Sequence, residues 1–404
     1  MRALPEKYLN LTLLALGFGL GQGSLFLANT YLYWSGHYQL VADFGSANAL
    51  VTLVIFVGDW GGTTYLAAAS VSSDEDKSAD RKYGALSVFR IILAIAYVAV
   101  LVLIWRGKGG LLTSYLVASA PGIVAQALSP VGLLDGRARS GLAGLSQALP
   151  FVAVAIVMPF CTPLKPDTAG SILGAITTLS SVVCIALQVR LARVKLAEFR
   201  QGFDLRRIVT VAVEATPYML TPLPGHILFR GQIYLANAYL PEATLALFIY
   251  ARQIIGVGYQ AAGFYLRVDL RDFALWLLKA RPSALQVLTQ AGAVRLALAL
   301  TIAILVAAPL LYPYRAELAT AVAFYAFAIV TLTSSSTLQR VYLLTNRART
   351  NVIVLTLSSA LSLTYAYLFI DNRSISTLII CEIFAHVVQI FALACFMRSS
   401  DGRR

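Results

Sequence analysis

Charged residues and cysteines are scarce in this sequence of 404 residues, and both shortages narrow the kind of protein it can be. Charged residues make up only 13% of the chain and hydrophobic residues 58%, more than a soluble domain of this length needs. The four cysteines lie singly and far apart, with no CxxC pair and no nearby histidine cluster: Cys161, Cys184, Cys381 and Cys395. Neither a metal site nor a disulfide framework is therefore expected.

Acidic residues are also few, because 19 Asp and Glu stand against 32 Lys and Arg and leave a net charge of +13. Such an excess is one sign of nucleic-acid binding. In membrane proteins, however, Lys and Arg collect in cytoplasmic loops, where they set the orientation of the chain. The second explanation suits this apolar composition, so we expect no nucleic-acid partner.

Apolar runs of 18 or more residues, the length that crosses a hydrocarbon core of about 30 Å, recur throughout the chain. They do not alternate as the strands of a membrane barrel do, so they predict helices. The first run follows Arg2 and Lys7 and is too long for a signal peptide. We predict an all-α polytopic membrane protein with about twelve transmembrane helices, at 8–34, 45–70, 85–105, 111–134, 142–160, 168–190, 208–237, 245–268, 289–311, 317–340, 352–370 and 374–397.

The basic residues predict how these helices are oriented. Of the 32 Lys and Arg residues, 23 fall in segments on the same side of the membrane as the N-terminus. The loops on the other side are short and carry five, namely Arg106, Lys108, Lys165, Arg315 and Arg373. Since cytoplasmic loops carry the excess of positive charge, both termini are predicted to be cytoplasmic.

A basic segment in the middle of the chain divides the predicted helices into two groups of six. Residues 191–207 interleave apolar and basic side chains, which predicts an amphipathic helix on the anionic inner leaflet. We therefore expect an N-terminal six-helix lobe at 1–190, a cytoplasmic linker at 191–207, and a C-terminal six-helix lobe with a short cytoplasmic tail at 208–404.

The two halves also share a short sequence pattern. LANxYL occurs at Leu27–Leu32 and again at Leu235–Leu240, and Gly23 matches Gly231 at the same offset of 208 residues. Because each half has an even number of helices, the two copies have the same orientation in the membrane. This arrangement predicts two parallel six-helix repeats that form two lobes, as in one class of alternating-access transporters.

Three segments resemble those of a known family. They are the glycine-rich GFGLGQGSLFLANTYL of the first helix, VGDWGG at 57–62, and RGQIYLANAYLPEATLALFIYARQIIGVG at 230–258. Together with the six-plus-six layout, they resemble the O-antigen and polysaccharide flippases (Wzx-like proteins). These flippases belong to the multidrug/oligosaccharidyl-lipid/polysaccharide exporter superfamily. The Pro-Glu-Ala-Thr-Leu turn at 241–245 departs from the glycine-containing turn expected there.

The resemblance implies a transporter in the bacterial cytoplasmic (inner) membrane, not an enzyme. It would move an undecaprenyl-pyrophosphate-linked oligosaccharide, such as an O-antigen repeat unit, from the cytoplasmic to the outer leaflet by alternating access. Its expected partners are this lipid-linked glycan, membrane lipids and other membrane proteins of polysaccharide assembly. No catalytic residue, metal ligand or cofactor is expected, and a coupling cation or proton stays open.

Two arginines lie deep inside predicted helices and are the leading candidates for substrate binding. A cation at membrane depth costs at least about 2.5–3.5 kcal/mol, so Arg230 and Arg252 should face a protein interior or a wet cavity. The planar guanidinium binds two oxygens of a pyrophosphate and stays charged. The alternatives are snorkelling to the outer interface or an interhelical ion pair, for example between Arg252 and Glu242.

Other charged candidates have weaker support. Asp59 is predicted near the middle of the second helix, where it could pair with an arginine or take up a proton. Arg90 and Arg295 lie near the inner ends of the third helix of each half, where long side chains also snorkel. Glu382 and His386 fall one turn apart on the last helix. The pair could form a proton relay or a structural hydrogen bond.

Amides and prolines complete the candidates. Amides in the first helix of each half could bind sugar or hydrogen-bond between helices: Gln22, Asn29, Gln232 and Asn237. A cluster of Pro217, Pro222, Pro224 and Gly225 predicts a kink in the seventh helix, either a hinge or a static bend.

Three competing functions remain. A drug or organic-cation antiporter of the same superfamily should have an acidic, aromatic cavity, and two deep arginines argue against it. A membrane enzyme, such as an O-antigen polymerase, a glycosyltransferase or an acyltransferase, would need a sizeable outer loop or a catalytic motif. The outer loops here are short and no HxxxxD arrangement is present, while the one DxD match, Asp74-Glu75-Asp76, lies in the mixed-charge inner loop at 71–84. The third alternative is a purely structural membrane subunit.

Overall fold

The structure is a computed structural model. The structure describes residues 4–401 except 73–75, 106, 108, 138, 269–272, 274–275, 278–279, 281, 314–315, 345–346 and 371–374. Much of the predicted inner loop after the eighth helix and the last residues of the predicted tail lie outside this range. Over the described residues the secondary structure is helical and contains no strand, which confirms the predicted all-α class.

The chain forms two compact units, Met1–Leu223 and Pro224–Arg404. Over its described residues the first unit contains ten α-helices, with a 3₁₀ turn at Met158–Cys161. They are α1 Leu4–Trp34, α2 Tyr38–Asp59, α3 Gly62–Ser72, α4 Asp76–Trp105, α5 Gly110–Gln126, α6 Val131–Gly136, α7 Ser140–Val157, α8 Pro166–Ala192, α9 Leu196–Arg200 and α10 Leu205–Leu220.

The remaining helices belong to the second unit, except that Leu223, the first residue of α11, is still part of the first. Within its described residues they are α11 Leu223–Tyr239, α12 Glu242–Val268, α13 Ala284–Gln290, α14 Gly292–Ala307, α15 Ala316–Leu344, α16 Ala348–Phe369 and α17 Ile375–Asp401. A second 3₁₀ turn, Ala308–Leu311, follows α14 and resembles the one that follows α7.

Nine helices in the described part of the chain are long and apolar enough to cross a membrane. Three predicted spans are missing from that set for different reasons. The fourth contains α5, which has 17 residues, and the seventh is divided between α10 and α11. The eighth is α12, whose 27 residues include Arg252, Gln253 and Gln260 and are therefore less apolar.

The predicted second span at 45–70 is wrong in its extent, because the helix breaks inside it. Trp60 has φ +49° and Gly61 has φ +68°, so the chain passes through the left-handed region between α2 and α3. A side chain on Gly61 would also meet the backbone of Met219. Asp59 is consequently the last residue of α2 and not a mid-helix residue.

The seventh predicted span is interrupted where its prolines cluster. α10 ends at Leu220 and α11 begins at Leu223, so Pro222 lies in the gap and Pro224 is the second residue of the new helix. Pro224 falls in a first turn, where no intrahelical N–H is needed, whereas Pro217 lies inside α10 and does not end it. The predicted kink is therefore a break between two helices.

The predicted amphipathic helix at 191–207 is much shorter in the structure. α8 continues to Ala192, Arg193 adopts φ +52°, and only Leu196–Arg200 is helical before α10 begins. Phe199 turns inward and packs on Tyr83, with 5.4 Å between ring centroids. A single residue in the left-handed conformation ends α8 and divides what looked like one amphipathic pattern.

Candidate functional site

A buried ion pair joins two helices of the second unit. Arg252 on α12 is 5% exposed, and its Nη2 lies 3.1 Å from Oε2 of Glu382 on α17. The Tyr325 hydroxyl of α15 donates a hydrogen bond to the same carboxylate oxygen. The ion-pair partner of Arg252 is thus Glu382, and not Glu242, which the sequence analysis named as an example. Three helices meet at this carboxylate.

Aromatic rings surround the guanidinium group of Arg252. Its Cζ lies 3.5 Å from the ring centroid of Phe229 and 5.4 Å from that of Phe248. Phe248 in turn stacks on Tyr325, with ring centroids 6.2 Å apart and an interplanar angle of 10°. A cation over an aromatic face is attracted by the ring quadrupole, more strongly where water is excluded.

Arg230 is the residue after Phe229 in α11 and lies beside the aromatic rings that surround Arg252. Its Cζ is 5.0 Å from the ring centroid of Phe229, so one ring carries both guanidinium groups. Among the described residues Arg230 has no acidic partner, and its pairing is limited to Phe229. Two cations and the single carboxylate of Glu382 therefore leave the cluster with an excess of positive charge.

Several nitrogens of these arginines are buried without a hydrogen-bond acceptor among the described residues. They are Nε and Nη1 of Arg252 and Nε of Arg230. The ion pair of Nη2 with Glu382 thus compensates the charge of Arg252 but leaves its other nitrogens without an acceptor. A buried charge without acceptors is costly, typically by several kcal/mol. An anion with several oxygens is the group whose binding would compensate both the charge and the donors.

A separate polar network lies farther along α17, around Gln389. His386 Nδ1 lies 3.2 Å from Oε1 of Gln389, and Ser335 donates to that oxygen at 2.5 Å. The Gln389 amide donates to the hydroxyl of Ser358 at 2.9 Å. His386 is therefore hydrogen-bonded to Gln389 and not to Glu382, which is the arrangement of a structural network linking α15, α16 and α17.

The first unit contains a second buried arginine with a different environment. Arg90 is 0% exposed and pairs with the carboxylate of Asp59 through Nη2. Its Nε donates to the Asp59 carbonyl at 2.8 Å and its Nη1 to the Ser129 carbonyl at 3.2 Å. Thr63 N donates to the other carboxylate oxygen at 3.0 Å. Arg90 thus closes the break between α2 and α3.

A cavity of about 260 Å³ lies next to this pair, within the first unit. Its walls include the carboxylate of Asp59, the amides of Gln126 and Gln147, and the ring of Tyr218. Trp60 supports the same region, because its Nε1 donates to the Ala212 carbonyl at 3.1 Å. The cavity walls come from α2, α3, α4, α5, α7 and α10 together with the residues between them.

The predicted candidates outside these clusters differ in how deeply they are buried. Arg295 is exposed and donates to the Gln290 carbonyl at 3.0 Å. Gln232 is buried and donates to the Leu378 carbonyl at 3.4 Å, an interhelical contact. Asn29 is buried, Asn237 is exposed, and Gln22 is half-buried. The structure thus brings Arg230 together with Arg252, and Asp59 together with Arg90, but gathers the amides into no cluster.

Sequence reasoning missed the aromatic and amide components of both regions. Phe229, Phe248 and Tyr325 are ordinary apolar-helix residues until the fold places them around Arg252. Gln126 and Gln147 are amides within long apolar runs, the same signal that selected Gln22 and Asn29. Reading every deep amide in that way would have found them.

Comparison with known proteins identifies the fold. No family model matches the chain, and no curated protein matches it either. Among solved structures, a lipid II flippase, MurJ, in an inward closed conformation aligns with TM-score 0.74 at 12% identity, over 96% of this chain and 87% of that one.

Multidrug transporters align as well. An inward-facing multidrug resistance MATE family transporter of the MOP superfamily aligns with TM-score 0.65 at 16% identity, over 98% of this chain and 94% of that one. The outward-facing form aligns with TM-score 0.60 at 16% identity, over 99% and 97%. At these identities the likeness shows the fold alone: this chain is an all-α, multi-pass membrane protein with the fold of these transporters.

Proposed function

We propose that this protein is a flippase for an undecaprenyl-pyrophosphate-linked oligosaccharide, such as an O-antigen or other polysaccharide repeat unit. It moves the lipid from the cytoplasmic to the outer leaflet of the bacterial inner membrane by alternating access, with both termini in the cytoplasm. The observation that carries the proposal is the pair Arg230 and Arg252, which share the Phe229 ring and have only one carboxylate between them.

The chemistry of such a substrate matches the properties of this cluster. The polyprenyl tail can remain in lipid, so the barrier to translocation is the transfer of sugars and pyrophosphate through hydrocarbon. Guanidinium groups offer charge-assisted hydrogen bonds to phosphate oxygens in a fixed planar geometry. The unpaired nitrogens of Arg252 and Arg230 are donors of this kind, already removed from water.

The fold supports the same conclusion at a coarser level, because one protein that shares it is described as a lipid II flippase. Others that share it are described as multidrug transporters, so the fold alone does not choose between the two. Organic cations would be repelled by the excess positive charge of the second unit. The carboxylate that lines the cavity of the first unit, that of Asp59, is already paired with Arg90.

The experiment is deletion of the protein in its native cell, followed by locating the lipid-linked oligosaccharide by leaflet. We expect complete repeat units to accumulate on the cytoplasmic face, because assembly continues while translocation stops. Single units that reach the outer face but fail to polymerise would indicate an enzyme instead. Unchanged glycan with altered drug tolerance would indicate an antiporter, and either result would overturn the proposal.

A further inference from the structure

The cavity of the first unit has walls without net charge. The single ionisable carboxylate in its lining belongs to Asp59, which is paired with the fully buried Arg90. The rest of the lining consists of apolar side chains, hydroxyls, two amides and one phenol ring. An anion would find no free cation here, and an organic cation would have to displace Arg90 from Asp59. The chemistry that suits these walls is uncharged and polar.

Two amides of the lining are unpaired. The side chains of Gln126 on α5 and Gln147 on α7 make no hydrogen bond within the described part of the chain. Each amide can donate two hydrogen bonds and accept two. Gln126 is half-buried and Gln147 is exposed, so both amides remain accessible to a polar ligand in the cavity.

An aromatic ring completes the arrangement. Tyr218 on α10 lines the same cavity and packs edge-on against Tyr65, with 6.0 Å between centroids. That contact holds the Tyr218 ring in place. A ring face carries partial negative charge and attracts weakly positive C–H groups. Hydroxyl-binding amides next to an aromatic face match a sugar ring, which has a rim of hydroxyls and faces of C–H bonds.

We infer that this cavity is a sugar-binding site, in which Gln126 and Gln147 hydrogen-bond the hydroxyls of one uncharged sugar and Tyr218 packs on its face. The inference rests on the proposed function, because the sugar would be a residue of the translocated glycan. It assigns sugar recognition to residues of the first unit, separately from the arginines of the second. A site with polar groups of this kind discriminates strongly against ligands that lack the matching hydroxyls.

The test compares lipids that differ only in the sugar. Binding to the full-length protein in nanodiscs is measured for undecaprenyl pyrophosphate and for the same lipid carrying one N-acetylglucosamine or one galactose. We expect wild-type protein to bind at least one glycosylated lipid about tenfold more tightly than the sugar-free lipid. Gln126→Ala and Gln147→Ala should each reduce that preference roughly fivefold, the effect of one hydrogen bond, and leave sugar-free binding unchanged.

Two control variants separate recognition from folding. Gln126→Met keeps the side-chain volume but removes its hydrogen bonds, so it should lose the preference as Gln126→Ala does. Gln201→Ala removes an exposed amide of the same unit and should change nothing.

The outcomes distinguish the two proposals. If wild-type protein binds none of these lipids, the proposed function fails. If it binds all of them with equal affinity, or if the glutamine variants weaken sugar-free binding just as much, only the sugar site is overturned.

Discussion

Arg90 and Arg252 are two buried arginines that differ in how completely their donors are used. In the first unit, Nε, Nη1 and Nη2 of Arg90 all have oxygen partners, on Asp59 and Ser129. In the second unit, Nη2 of Arg252 is paired with Glu382, and its Nε and Nη1 lack hydrogen bonds among the described residues. An arginine deep inside an apolar helix is therefore a candidate for either role. Its hydrogen-bond partners decide whether it is structural or still has donors free for a ligand.

The largest effect should come from breaking the saturated pair. Arg90→Ala removes the cation that pairs with the Asp59 carboxylate at the break between α2 and α3. This loss should lower the free energy of unfolding by about 3–5 kcal/mol. Thermal unfolding in detergent measures the loss. Asp59→Asn in the same chain should recover part of it, because the unpaired charge is then gone. An unchanged melting temperature for Arg90→Ala would contradict its structural role.

The next effect should fall on binding and leave stability intact. Arg230→Ala removes a guanidinium that has no acidic partner among the described residues, so the melting temperature should change little. Affinity for undecaprenyl pyrophosphate should fall at least about tenfold, the loss of a charge-assisted hydrogen bond. Arg230→Lys should recover only part, because an ammonium lacks the planar fork. Wild-type affinity in Arg230→Ala would remove this residue from the site.

A smaller effect is expected at the carboxylate that Arg252 shares. Tyr325→Phe removes the hydroxyl that donates to Glu382, a bond to a charged group, and should cost about 1.5–3 kcal/mol of unfolding free energy. Tyr342→Phe is the matched control, since its hydroxyl donates to the neutral Leu393 carbonyl at 2.6 Å and should cost about 1 kcal/mol. Equal losses in the two variants would argue that Glu382 is not charged.

The smallest effect should be at the repeated LANxYL pattern. Asn29 is buried in the first copy, whereas its counterpart Asn237 is exposed in the second. Asn237→Ala should therefore change the unfolding free energy by less than about 0.5 kcal/mol and leave translocation unaffected. Lost translocation in this variant would restore Asn237 as a substrate-binding residue.

The sequence predicted the helical class because only helices satisfy the backbone of long apolar runs in lipid. From the cost of a cation at that depth it also predicted that Arg230 and Arg252 face a protein interior or a wet cavity. It did not predict the break after Asp59, since hydropathy over a window does not register the left-handed conformation of Trp60 and Gly61. Nor did it predict that Arg252 pairs with Glu382. That contact joins residues far apart in the chain, and its identity depends on how α12, α15 and α17 pack.

The burial pattern of the repeat shows the same limit at a finer scale. Ala28 and Ala236 are both buried, as are Leu32 and Leu240, so these two apolar positions have the same environment in both copies. The asparagines do not, because a helix face that packs in one unit is free in the other. A matched letter therefore predicts a matched helix position but not a matched contact.

The most direct test of the central claim is translocation by purified protein in liposomes. The rate at which a fluorescent undecaprenyl-pyrophosphate-linked oligosaccharide changes leaflet is measured for wild type, Arg230→Ala and Arg295→Ala. Arg295 is the matched control, an exposed arginine of the same unit that donates to a backbone carbonyl. We expect translocation by wild type and by Arg295→Ala, and a rate at least about tenfold slower for Arg230→Ala. Equal rates in all three proteins, or none above protein-free liposomes, would contradict it.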